Sequence, residues 1–103
     1  MSDTDWRKCI EAAIQRCDDM GREEYLGMID DVVAGMDAED IATKHKVKIA
    51  AVSAAIGLVS ASVHGPRPAP KLANGGWYGA RENGGYEVAP EFAEAWKAAR
   101  TTH

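Results

Sequence analysis

Six cations occupy residues 41–81 without a carboxylate among them: Lys44, Lys46, Lys48, Arg67, Lys71 and Arg81. The flanks have the opposite balance. Residues 1–40 carry twelve acids against four bases (−8), and residues 82–103 carry four acids against two bases (−2). The net charge of −4 therefore hides a +6 block. Ammonium and guanidinium groups neutralise phosphates, and an acid-free run of this length is the footprint of a phosphate-facing surface. The same segregation also arises where an Ala-rich core helix excludes charge. Both readings stand at this level.

Other chemistry is not nominated. His45, His64 and His103 have no metal-ligand spacing, and Cys9 and Cys17 form no Cys-x-x-Cys unit. Eight residues apart on one helix, the two thiols are about 12 Å from each other, too far to bridge. They read as buried free thiols, with an intermolecular disulfide or redox role as the alternative. No phosphate-loop or Gly-x-Gly-x-x-Gly pattern occurs. The adjacent acids Asp18-Asp19, Glu23-Glu24 and Asp30-Asp31 are read as solvated helix faces rather than catalytic dyads, and His45 as a packed histidine rather than a ligand. No enzyme, metal or cofactor is expected.

The elements that must position the cations follow from periodicity and punctuation. Trp6, Ile10, Ala13, Ile14 and Cys17 form a helical stripe over residues 5–20, with Thr4 or Asp5 as cap and Gly21 as stop. Leu26, Ile29, Val32, Val33 and Met36 mark a second helix over 22–34. Both stripes suit a core, and one of them also suits a dimer interface. Asp37 caps a third helix over 38–44, with Asp40 as a capping-box acid. A fourth helix over 48–62 is stopped by His64-Gly65-Pro66. The Pro-rich run 66–71 is expected to be an extended strap, either lying along a phosphate backbone or merely spanning two elements. Residues 77–88 read as a hairpin turning at Asn83-Gly84-Gly85, with Trp77, Gly79 and Arg81 alternating against Tyr78, Ala80 and Glu82. Pro90 opens a last helix over 90–100, on which Phe92 and Trp96 point inward. Residues 101–103 read as a frayed end.

Ile41-Ala42, Lys46 at a turn, Val47, Val52-Ser53 and Ala55-Ile56 together resemble the helix-turn-helix of DNA-binding regulators, with Lys46 where that motif usually has Gly. A hairpin after the second helix is similar to the wing of the winged helix family, and the resemblance extends over about residues 37–100. It implies a mainly α fold with a small β-hairpin. In that fold, leading helices (1–36) precede a helix-turn-helix (37–64), a Pro/Gly loop (65–76), a wing (77–89) and a C-terminal helix (90–100), all in one domain. It also implies a regulator that contacts duplex DNA through Lys44, Lys46, Lys48, Ile49, Ser53, Arg67, Lys71 and Arg81, with Arg81 as the wing contact. Helix-turn-helix proteins commonly act as homodimers.

The recognition helix would be a degenerate one. Of its exposed positions, Lys48, Ile49, Ala50, Ala51, Ser53, Ala54 and Gly57, only Lys48 and Ser53 form hydrogen bonds, whereas base edges are usually read by Arg, Lys, Asn or Gln. The alternative is a protein-interaction module or small phage-type inhibitor on the same scaffold. It would dock a partner through the fourth helix or through the acidic leading helices. The chain has no apolar run of roughly 18 residues, and its acidic first five residues lack the apolar segment of a signal peptide. No membrane association and a cytoplasmic location are expected.

Overall fold

The computed structural model describes residues 6–65, 70–82 and 84–102. Among these residues, five α-helices and one antiparallel hairpin enclose a single core: α1 (Trp6–Asp19), α2 (Glu24–Val33), α3 (Ala38–His45), α4 (Ile49–His64), β1 (Tyr78–Ala80), β2 (Tyr86–Val88) and α5 (Pro90–Thr102). This is the expected mainly α architecture. Two leading helices precede a helix-turn-helix arrangement, a hairpin and a C-terminal helix.

α4 lies against three of the other helices. It packs against α1, α2 and α3 through Val52, Ala55, Ile56 and Val59, which are all buried. These positions are three and four apart, so they share one side of the helix. α1 contributes Ile10, Ala13, Ile14 and Cys17, and α2 contributes Met28, Ile29 and Val32. The apolar stripes of both leading helices thus end inside the monomer. Trp6, Leu26, Val33 and Met36 of the same stripes are partly buried against that core.

α5 closes the opposite side against α1 and α2. Phe92 and Trp96 are buried there with Trp77. The Phe92 ring lies 4.6 Å from that of Trp77, tilted by 34°, and meets Trp6 edge-on at 5.6 Å, the T-shaped geometry that aromatic quadrupoles favour. α5 runs on to Thr102, past the fraying point expected after Arg100. There the Thr101 hydroxyl donates to the Lys97 carbonyl at 2.8 Å.

The hairpin is short, with register Tyr78↔Val88, Gly79↔Glu87 and Ala80↔Tyr86. Trp77 lies just outside β1, where its carbonyl accepts from Ala89 N–H and its indole N–H donates to Ser60 Oγ at 2.9 Å. That bond pins the hairpin to α4. At the hairpin's other end, a Cβ on Gly85 would stand 2.6 Å from the Gly35 carbonyl oxygen. Only glycine permits the turn to press this closely on the end of α2. In the loop before the hairpin, Leu72–Asn74 form a 3-10 turn, and residues 66–69 of the expected strap lie outside the described residues. Arg67, Asn83 and the Thr4 or Asp5 cap lie outside the described residues.

No single helix among the described residues is long and apolar enough to cross a membrane. Only the bent pair α3 and α4 passes that test of length and composition. Its apolar residues Ile41, Ala42, Val52, Ala55, Ile56 and Val59 are buried in the core.

Candidate nucleic-acid interface

α3 begins at Asp37, whose Oδ1 accepts from Asp40 N–H at 2.8 Å. It ends at Lys46, whose φ of 57° and ψ of 44° place it in the left-handed region. Lys46 is the only non-glycine residue with positive φ among the described residues. With Val47 N–H donating to the Ala42 carbonyl at 3.0 Å, this is the helix-ending turn that glycine makes most cheaply. Val47 packs against the core. Lys48 is extended and leads into α4. Over this three-residue turn the chain changes direction by 108°, within the range of about 90–120° typical of a helix-turn-helix.

The outward side of α4 bears Ile49, Ala50, Ser53, Ala54 and Gly57, all exposed, with Lys46 and Lys48 exposed at its approach. Ile49 is 47% exposed, and only it and Met20 are exposed large hydrophobics among the described residues. Ala51, expected on this face, is half-buried against the core instead. Ile49 and Ser53, four apart, share this face, and the exposed Lys46 and Lys48 lead into it.

The hairpin flanks that surface. Tyr78 and Tyr86, whose rings meet at 6.1 Å, enclose with Ser53, Ile56, Gly57 and Ser60 a recess of about 260 Å³. Burial pushes the Tyr86 hydroxyl pKa up, and the nearby Tyr78 and Asp37 add to the shift, so it stays neutral. Arg81 is exposed beside the hairpin turn, where its N–H donates to the Gly85 carbonyl. Lys71 stands apart. It borders a different recess with Leu72, Tyr78, Gly79 and Glu87.

Lys44 has another engagement. Its Nζ donates to Asp31 Oδ1 at 2.9 Å, while His45 Nε2 lies 2.6 Å from Asp31 Oδ2. Asp31 is buried, so it is not one of a solvated pair of acids. Burial by itself would raise its pKa. The hydrogen bonds from Lys44 and His45 and their positive charge outweigh that and hold the carboxyl below its ordinary range. Against an ionised carboxylate, His45 Nε2 must carry the hydrogen. Gly27 makes room for the ring, since a Cβ there would stand 3.2 Å from His45 Cε1. The neighbouring Asp30 faces the other way. It accepts from Trp96 Nε1 at 2.7 Å and from Arg100 Nε and Nη2 at 2.9 and 3.0 Å. One acid thus fastens α3 to α2, and the other fastens α5 to α2.

Among the described residues no group of three or more His, Cys, Asp or Glu side chains is arranged to hold a metal ion. Comparison with protein-family models, with curated proteins and with solved structures gives no match.

Proposed function

We propose that this chain is a DNA-binding, regulator-like protein of the winged helix-turn-helix type, acting in the cytoplasm where it meets duplex DNA. Its phosphate contacts come from Lys46 and Lys48 beside α4 and from Arg81 on the hairpin. The observation that carries the reading is the 108° turn between α3 and α4. That turn presents an acid-free helix face with two free-standing lysines at its leading edge. A face so poor in donors leaves phosphate contacts dominant, with little direct reading of base edges.

The exposed Ile49 favours a second reading, in which the same face docks a protein helix. Replacing Ile49 with Arg separates the two. If α4 lies on DNA, Ile49→Arg keeps or raises duplex affinity in a gel-shift titration, because it adds a cation beside phosphates. If α4 docks a protein, an unpaired charge is desolvated at the interface, and partner binding is abolished while DNA affinity stays absent. Circular dichroism checks the fold, which an exposed position should leave intact. Failure of both the wild type and the variant to shift DNA would reject the DNA reading.

A further inference from the structure

This inference rests on the DNA-binding reading and names what the exposed face of α4 would recognise. Base pairs differ in the major groove by their donors and acceptors, and by one apolar group, the C5-methyl of thymine. α4 has no Arg, Lys, Asn or Gln anywhere from Ile49 to His64. On its outward face Ser53 alone carries a hydrogen-bonding side chain, and Ile49 alone is large. A helix equipped in this way cannot make the bidentate contacts that distinguish guanine or adenine. It can distinguish a methyl group from its absence.

The placement of Ile49 suits that task. It is the first residue of α4, immediately after the extended Lys48, so it sits where the helix-turn-helix aims its recognition helix at base edges. Its β-branched side chain has few rotamers, so little freedom is forfeited when it is immobilised against a base. Ala50, Ser53, Ala54 and Gly57 add no bulk that would hold the helix away from the groove floor. Lys46 and Lys48 supply the phosphate anchors that fix the register.

We propose that Ile49 is the specificity-determining residue of this surface and that it selects duplexes bearing thymine C5-methyl groups. Each methyl buried against it should strengthen binding about fourfold, the contribution of one buried methylene.

The test compares a short A·T-rich duplex with the same duplex in which every thymine is replaced by deoxyuridine, using fluorescence anisotropy on the wild-type chain and on Ile49→Ala. The proposal expects the wild type to bind the thymine duplex at least about fourfold more tightly. It expects Ile49→Ala, whose shorter side chain withdraws from the methyls, to bring the thymine-to-uracil affinity ratio close to one, whatever its effect on affinity for the uracil duplex. Equal wild-type affinity for both duplexes would overturn methyl recognition and leave DNA binding standing. A preference that persists in Ile49→Ala would overturn the assignment to Ile49. Binding to neither duplex would remove the DNA reading itself, and this inference with it.

Discussion

Asp31 is the residue on which the candidate interface most depends, although it touches no surface that would meet DNA. It holds the last turn of α3 through Lys44 and His45, and so fixes where the following turn launches α4. Lys44 is 56% exposed, which screens its ion pair. The bond to the half-buried His45 is therefore the larger part of the effect. Asp31→Asn should cost about 2 kcal/mol, lowering Tm by roughly 10 °C in thermal unfolding followed by circular dichroism. The difference depends on pH with a definite sign. Because the folded-state pKa of Asp31 is lowered, its contribution is fully present above the unfolded value of about 3.9. It fades as pH falls from there through the folded value. Wild type and variant should therefore differ most near neutrality and converge in acid. A gap that stays constant down to about pH 2 would rule out this ionised clasp.

The turn between α3 and α4 carries the strain of the motif. A lysine in the left-handed region is less favourable than glycine by about 1 kcal/mol, so Lys46→Gly should raise Tm while removing one candidate phosphate contact. A lowered Tm would show that Lys46 stabilises the turn in another way. At this scale the sequence was readable where local chemistry decides. Asp37 caps α3, Pro90 opens α5, and glycine or its substitute ends the helices, each acting within a few residues of itself. What could not be read were interactions whose partners are remote in the chain. Asp31 meets residues 13 and 14 positions away, and Asp30 meets residues 66 and 70 away. Two adjacent helical acids point in different directions, and no periodicity says which neighbour each will find. The engagement of Lys44, a candidate phosphate contact, with Asp31 is visible only once α2 and α3 pack. The close approach of Gly85 to Gly35, which seats the hairpin, is likewise a tertiary fact.

The whole molecule measures 38 × 34 × 26 Å, and its two leading helices bury the stripes that left open either a core or a dimer. Those stripes pack in the core of one chain, and sedimentation at tens of micromolar tests whether the chain forms a homodimer. A concentration-dependent dimer would point to a surface other than the buried faces of α1 and α2. The exposed cations at the turn and beside the hairpin, Lys46, Lys48 and Arg81, suit DNA binding with α4 and the hairpin turned toward the duplex. The central claim is that this orientation is real. It is tested most directly by the salt dependence of duplex DNA binding for the wild type and for Lys46→Gly/Lys48→Ala/Arg81→Ala. The log–log slope should flatten by roughly 0.9 for each phosphate no longer neutralised, about 2.7 in all, with affinity falling on every sequence alike. Measurable binding whose slope is unchanged in the triple variant, or no wild-type binding even at low salt, would contradict it.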